Sequence, residues 1–312
     1  MATRASRLAL AQTRLVVDAL RARGEINVEI IPVTTKGDRE AERSLTAIGG
    51  EGVFVRELFA ALADDTADIA VHSLKDLPTE LPPDVAAGVV PERDDARDAI
   101  VSRDAPIEGI DALPHGARVG TSSLRRAAQL LLRRPDLEIV PLRGNVDTRV
   151  RKLREGACDA AVLAYAGLRR ADLVDVLAPT PLEPEDMVPA AGQGALFVQC
   201  RADDEDTWRT IAPLEHAQSA LATSMERAFL AAVGGGCVAP IGVHARIEGE
   251  AYQLWAIVAA TDGTRALREM RSGSARDAAE ARACVESVAS DMLQGGAGDL
   301  IARARHTERG QG

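Results

Sequence analysis

Four short segments concentrate the side chains that can do chemistry. In Val71-His72-Ser73-Leu74-Lys75-Asp76-Leu77-Pro78 an apolar run hands over to a dense polar cluster. Neighbours such as Lys75 and Asp76 are commonly a solvated ion pair in a loop. At the C-terminal end of a strand, where open α/β sheets bind ligands, Asp76 is instead a candidate for handling a proton or stabilising a cation, with Lys75 keeping it ionised. Gly120-Thr121-Ser122-Ser123-Leu124-Arg125-Arg126 ends a strand with hydroxyls and opens a helix. Free N–H groups, hydroxyls and the helix dipole make an anion cradle there. Thr121 and Ser122 also read simply as helix caps, but a cap does not call for two arginines in the first turn, where cations oppose the dipole. Leu142-Arg143-Gly144-Asn145-Val146-Asp147-Thr148-Arg149 repeats the arrangement, with Arg149 one turn into its helix and able to point to the edge of Arg143. Arginine forks suit carboxylates, and Arg169-Arg170 adds to them after another strand end. Any one such pair is ordinarily a solvated face; three delivered to one edge are not readily accidental.

The fourth segment is Gly234-Gly235-Gly236-Cys237-Val238-Ala239-Pro240. Cysteine is usually a small buried hydrophobe. Held on a triple-glycine loop, Cys237 reads instead as an accessible nucleophile or attachment point. No histidine stands in an obvious pairing with it, which speaks against a protease. Cys158, Cys200 and Cys284 are widely spaced and the five histidines are scattered, so no metal site and no disulfide framework is expected.

The elements that must carry these segments follow from periodicity. Ser6 to Arg23 has apolar residues at helical spacing with Ser6 as N-cap, Asn27 to Val33 reads as a strand, Val53 to Ala63 as a helix and Asp68 to His72 as a strand. From Ala117 the alternation restarts: strand to Gly120, helix Ser122 to Arg134, strand Leu137 to Pro141, helix Val146 to Glu155, strand Asp159 to Ala164. Such alternation implies two α/β lobes with largely parallel sheets, joined near Glu92 to Asp98. Asp175 to Gly194 reads as a connector, and Ala195 to Cys200 as a strand returning to the first lobe. A long helix, Leu214 to Val233, then three strands and two helices, Ala275 to Leu293 and Gly298 to Arg305, imply a separate C-terminal α+β domain.

Composition narrows the classes. The chain has 312 residues, 37 Lys plus Arg against 47 Asp plus Glu, and a formal charge of −10. A globally acidic surface does not suit non-specific nucleic-acid binding, and 3% aromatic residues leave few stacking platforms. Between Arg118 and Arg154 ten cations meet three acids, so a +7 island stands in a remainder of −17; that island is a candidate anion site. No apolar run approaches ~18 residues and no secretory leader is read, so a cytoplasmic protein with no membrane partner is expected.

Together these segments resemble the porphobilinogen deaminase (hydroxymethylbilane synthase) family. The likeness runs through Thr3-Arg4-Ala5-Ser6, Thr35-Lys36-Gly37-Asp38, Ile48-Gly49-Gly50 with Phe54, His72 to Pro78, Arg93 to Ala99, Gly120 to Arg126, Arg143 to Arg149, Pro189 to Gly194 and Gly235 to Pro240. The resemblance implies two periplasmic-binding-protein-like lobes with mixed, mostly parallel sheets (1–93 with 194–212, and 98–188) and a C-terminal α+β domain (216–312) bearing the cofactor cysteine. It implies a transferase that joins four porphobilinogen molecules head to tail, releases ammonia from each and hydrolyses the linear tetrapyrrole free. Its primer is a dipyrromethane held by thioether, here on Cys237. Asp76 is then the catalytic carboxylate, facing a cationic azafulvene-like species. Arg4, Ser6, Lys75, Thr121, Ser122, Ser123, Arg125, Arg126, Arg143, Gly144, Asn145, Arg149, Arg170 and Gln193 hold primer and substrate.

The sequence departs from the family's pattern at Ala47 and Glu51, where lysines are common, at Arg7 in place of a common Pro, and at Gly234 in place of a common Glu. A two-lobed carboxylate-binding protein without catalysis is the alternative, since the arginines and hydroxyls alone would serve it. A monomer is expected, because no long exposed apolar stripe is left over.

Overall fold

The computed structural model describes residues 1–40, 52–235, 239–275 and 277–310. Its strands are β1 (Ala2–Arg4), β2 (Ile31–Val33), β3 (Ala70–Ser73), β4 (Ala87–Val89), β5 (Asp98–Ser102), β6 (Arg118–Gly120), β7 (Glu138–Val140), β8 (Ala160–Ala164), β9 (Thr180–Pro181), β10 (Leu196–Cys200), β11 (Ile241–Glu248), β12 (Ala251–Ala259) and β13 (Ala266–Ser274). The helices are α1 (Arg7–Arg21), α2 (Lys36–Arg39), α3 (Arg56–Ala63), α4 (Leu124–Arg133), α5 (Val146–Arg154), α6 (Tyr165–Arg170), α7 (Val174–Leu177), α8 (Glu205–Ile211), α9 (Ala217–Ala232), α10 (Ala278–Gln294) and α11 (Ala297–Gly310).

Two five-stranded sheets share one plan. The first runs β2-β1-β3-β10-β4 and the second β7-β6-β8-β5-β9. Each has two parallel pairings and two antiparallel ones. The sheets are therefore mixed and mostly parallel, as expected: four of the five strands in each point one way, and only β10 in the first and β5 in the second are reversed. The reason is connectivity. The reversed strand of each sheet comes directly from the other lobe: β5 follows β4, and β10 follows β9. Reversal puts the starts of β5 and β10 at the edge where the parallel strands end; Asp98 pairs with Ala164 and Leu196 with Ser73.

Each lobe closes its own core. Val16, Val17 and Leu20 lay one stripe of α1 on Val71, Val198 and Ile211. In the second lobe Ile100, Val119, Leu130 and Val162 do the same under α4. Each such side chain contributes roughly 1.5–3 kcal/mol by leaving water. The C-terminal unit packs α9 and α10 on one face of the antiparallel β11-β12-β13 sheet around Phe229, Val243 and Val285. Its other face presents Trp255 and Ile257 to Ala128 and Val188 of the second lobe.

A single buried carboxylate ties this unit to the crossings. Glu226 of α9 accepts both arms of Arg93, at 2.7 and 3.0 Å, and the Gly192 and Ala245 N–H groups, with His244 Nδ1 at 3.1 Å. Burial alone would raise its pKa; Arg93 and His244 outweigh that and hold it down to about 2. Among the described residues no helix is long and apolar enough to cross a membrane.

Candidate active site

The site lies where strand ends of both lobes face each other. From the first lobe β1 ends in Arg4, and β3 runs into a single 3-10 turn, Leu74–Asp76, that lifts Lys75 and Asp76 off the sheet. A cavity of about 100 Å³ beside them is lined by Arg4, Ser6, Phe54, His72, Lys75 and Asp76. Asp76 keeps a third of its side chain exposed and stands 3.9 Å from Arg4 Nη1. Arg4 gives its other edge to Asp38, with Nη2–Oδ1 at 2.5 Å, and lies 4.3 Å over the Phe54 ring.

The second lobe contributes α4 and α5. Arg149 donates Nε to the Gly144 carbonyl at 2.7 Å. Burial first, then the fields of Arg126, Arg143 and Arg4, push its pKa down to about 10, with Asp76 opposing. Residues from both lobes therefore share one electrostatic neighbourhood. Lys75 donates to Gln193 Oε1 at 3.2 Å. Burial and then Arg126 lower its pKa to about 8. Gln193 continues the chain, donating Nε2 to Asp98 at 2.9 Å and to the Ala96 carbonyl at 2.8 Å.

Asp98 accounts for the arginines that open α4. Arg125 Nη1 reaches it at 2.6 Å and Arg126 holds it through Nε and Nη2 at 2.9 and 2.7 Å. Their remaining contacts go to the Val188 and Val162 carbonyls. All three side chains are buried. Burial would raise the Asp98 carboxyl, but the two guanidinium groups outweigh it and hold it well below the usual range. Both arginines, expected as hands for substrate carboxylates, thus have much of their donor capacity committed inside the lobe, and two cations on one carboxylate leave a net positive field.

Several predicted residues shape the backbone. Ser6, Ser123 and Asn145 are N-caps of α1, α4 and α5, accepting from the N–H groups of Ala9, Arg126 and Thr148. Thr121 Oγ1 accepts from the Ser123 N–H, while the Ser122 hydroxyl is buried without a partner among the described residues. Gly144 has φ +109°, and a Cβ there would crowd Thr148. Arg143 lies beside this turn, half-buried. Arg170 sits at the crossings, donating to the Gly194 carbonyl at 2.5 Å with Asp94 at 3.4 Å.

Cys237, Ala47 and Glu51 lie outside the described residues. Gly234 has φ +65° with open space around its Cβ position, so an L residue there has room but a strained backbone. Arg7 is exposed and bonds Asp147 at 3.2 Å and the Ala171 carbonyl at 2.9 Å, across to the second lobe. Asp38, Asp98 and Glu226 were not singled out for chemistry by residue type: Asp38 and Asp98 stand in charged stretches, 34–40 and 92–98, where nothing marks one acid among its neighbours, and Glu226 is a lone acid within a helix. The signal for Asp98 is a charge opening the apolar run Ala99-Ile100-Val101.

Among solved structures, the second substrate binding domain of a putative amino acid ABC transporter from Streptococcus pneumoniae is 13% identical, with a TM-score of 0.40 over 65% of this chain and 80% of that one; the strand order, not this likeness, carries the fold. A protein named porphobilinogen deaminase from Roseiflexus castenholzii is 49% identical over 301 residues, 96% of this chain and 97% of the relative. One of the same name from Paraburkholderia phytofirmans is 47% identical over 302 residues, 96% and 87% of the two. Residues 1–209 match the family described as porphobilinogen deaminase, dipyromethane cofactor binding domain, and residues 220–294 match its C-terminal domain. With both descriptions covering the two lobes and the unit joined to them, the chain belongs to the porphobilinogen deaminase family.

Proposed function

We propose that this chain is a hydroxymethylbilane synthase: it condenses four porphobilinogen molecules on a covalent dipyrromethane primer, releases one ammonia per addition and hydrolyses the linear product free. The observation that carries this reading is one partly exposed carboxylate, Asp76, faced by the cations Arg4, Lys75 and Arg149. That is the electrostatic shape wanted by a substrate with carboxylate arms and a ring that becomes positive.

The residues present fit the primer. Lys75 and Arg149 are cations destabilised by burial and by each other's neighbours, and the Ser122 hydroxyl is a buried donor without a partner. Bound carboxylates relieve all three. Lys75, Ser122 and Arg126 would hold the primer's acid side chains, and Cys237 its thioether. When bound, the primer supplies the free pyrrole α-carbon to which the first substrate methylene is joined.

The chain's own residues do the rest. Arg4 Nη1, Arg149 and Arg143 receive the incoming acetate and propionate and orient the ring. As the C–N bond of the aminomethyl group breaks, its electron pair leaves with ammonia and positive charge spreads over substrate ring and methylene. Asp76 accepts the ring N–H and faces that charge where it develops, and it relays protons at the leaving amine. Residues 1–93 with 194–212 and 98–188 act as two lobes and 216–312 as the primer-bearing domain. The enzyme works as a cytoplasmic monomer on a small-molecule substrate, without nucleic acid or membrane. In support, Leu15, Val176, Trp208, Met270 and Leu293, the exposed large apolar side chains among the described residues, lie on five separate elements.

The test is the intact mass of freshly purified protein. A dipyrrolic adduct is expected, absent in Cys237→Ala, and Asp76→Ala should keep its fold while turnover falls roughly 10²–10⁴-fold. An unmodified wild-type protein that is nevertheless active would sink the primer mechanism.

A further inference from the structure

Arg4 is one cation between two carboxylates. Its Nε and Nη2 edge faces Asp38, at 3.2 and 2.5 Å from Oδ1, while Nη1 stops 3.9 Å short of Asp76. Nothing in the charge pattern explains the asymmetry, since both acids attract it. The local chain does. Asp38 closes a capping box with Thr35: its carboxylate accepts the Thr35 N–H at 3.2 Å and hydroxyl at 2.7 Å, while Thr35 Oγ1 accepts the Asp38 N–H. That fixes the carboxylate before Arg4 arrives. Phe54 lies beneath the guanidinium, and a Cβ on Gly37 would overlap the Phe54 ring, so the Thr35-Lys36-Gly37-Asp38 turn also seats that platform. Burial would raise the Asp38 carboxyl, but Arg4 and Thr35 outweigh it and hold it below its ordinary value.

We propose that Asp38 is a positioning residue for the condensation: by occupying one edge of Arg4, with Phe54 beneath, it holds that cation off Asp76, so that the Asp76 oxygens meet the substrate ring instead of closing an internal ion pair. This rests on the role given to Asp76 above. The groups facing Asp76 are Arg4 from β1, Lys75 beside it and Arg149 from α5. Were Arg4 to close the gap, both oxygens would be engaged by a guanidinium fork and their proton affinity would fall. Nη1, left uncommitted to Asp38, remains for a substrate carboxylate.

The variant Asp38→Asn keeps an acceptor for the Thr35 cap but loses the charge, and its amide N–H group repels Arg4. Full-length wild type, Asp38→Asn, Asp38→Glu and Phe54→Leu are compared, each checked for primer by intact mass. The first readout is the ¹³C titration of the Asp76 carboxyl, assigned with Asp76→Asn. Asp38→Asn should move that titration to lower pH, because Arg4 then engages the Asp76 oxygens, and Asp38→Glu should restore it. Phe54→Leu should shift it the same way by less, and because Asp38 keeps its charge there, that shift reads Arg4 alone. The second readout is ammonia release: in Asp38→Asn kcat falls about tenfold and KM for porphobilinogen rises as well, because Nη1 turned onto Asp76 no longer meets the substrate carboxylate. An unchanged Asp76 titration in folded, primer-loaded Asp38→Asn overturns the proposal; if that variant does not fold, an unchanged titration in Phe54→Leu does so. Full activity in Asp76→Asn would instead overturn the role of Asp76 itself, so the two failures are told apart.

Discussion

The two edges of the cleft use the same residue types in opposite ratio. In the first lobe one guanidinium, Arg4, stands between two carboxylates, Asp38 and Asp76, and the farther acid is a third exposed. In the second lobe two guanidinium groups, Arg125 and Arg126, share one carboxylate, Asp98, and all are buried. Taken alone these two clusters sum to −1 and +1; Lys75 beside Asp76 brings the first edge to neutral, and Arg143 and Arg149 make the second more positive. A reaction that gathers carboxylates on one side and develops a cation on the other needs that division. Burial divides the roles too. A buried cluster fixes structure, because removing one member strands charge in low dielectric. A partly solvated acid is free to change partners.

The largest effect tests that division directly. Asp98→Ala strands Arg125 and Arg126 and should cost about 3–5 kcal/mol in urea unfolding, whereas Asp76→Ala should move the midpoint little, since its ion pair with Arg4 is long, at 3.9 Å, and partly exposed. Comparable stability losses in the two variants would erase the contrast. Next is Arg149→Gln. Its cation is disfavoured by burial and by like charges, a penalty full below pH about 10 and relieved as pH rises above it. The variant should therefore melt no lower than wild type at neutral pH. Its KM for porphobilinogen should rise about tenfold, the size of one lost charge-assisted contact; an unchanged KM places the substrate's acid groups elsewhere. A smaller effect concerns Lys75. With its pKa lowered to about 8 in the fold against 10.5 ordinarily, the unfolded chain binds more protons between those values, so this group's penalty is full below 8 and fades above it. An anion in the cleft reverses the shift. Titration at pH 8.5 of a pyrrole dicarboxylate lacking the aminomethyl group, in two buffers of different ionisation heat, should show uptake of a fraction of a proton. Net release would mean that Lys75 does not face the anion.

Much of this was legible in the residues. Strand–helix alternation placed both lobes, and Ser6 was read correctly as a cap because a hydroxyl before an amphipathic run has few other uses. The arginine-bearing strand ends were legible for the same reason: open sheets expose the ends of their parallel strands. Asp98 was hidden because it belongs to a reversed strand, whose beginning lies at the edge where its neighbours end. A rule that looks at the C-terminal ends of strands passes over it. The strand Asn27 to Val33 shrank to Ile31–Val33, since only those residues meet β1. The helix expected from Ser122 starts at Leu124, with Ser123 rather than Thr121 or Ser122 as the cap, which leaves the Ser122 hydroxyl buried without a partner among the described residues.

The smallest expected effect is at the rim. Arg7, where the family commonly has Pro, joins the lobes through Asp147 and the Ala171 carbonyl, with its side chain 59% and that of Asp147 36% exposed. Exposed pairs contribute about 0–1 kcal/mol and are screened by salt. If burial decides what a charge contributes, Arg7→Ala should lower stability by less than about 1 kcal/mol in dilute buffer, and the difference should vanish near ~0.5 M salt. Its loss should speed the lobes' parting rather than weaken either core, so any rate change should appear in steps that open the cleft. A loss above about 2 kcal/mol, or one indifferent to salt, would mean that this exposed link holds the lobes as firmly as the buried cluster on Asp98 holds its own, and the comparison between the two edges would then rest on position rather than on solvation.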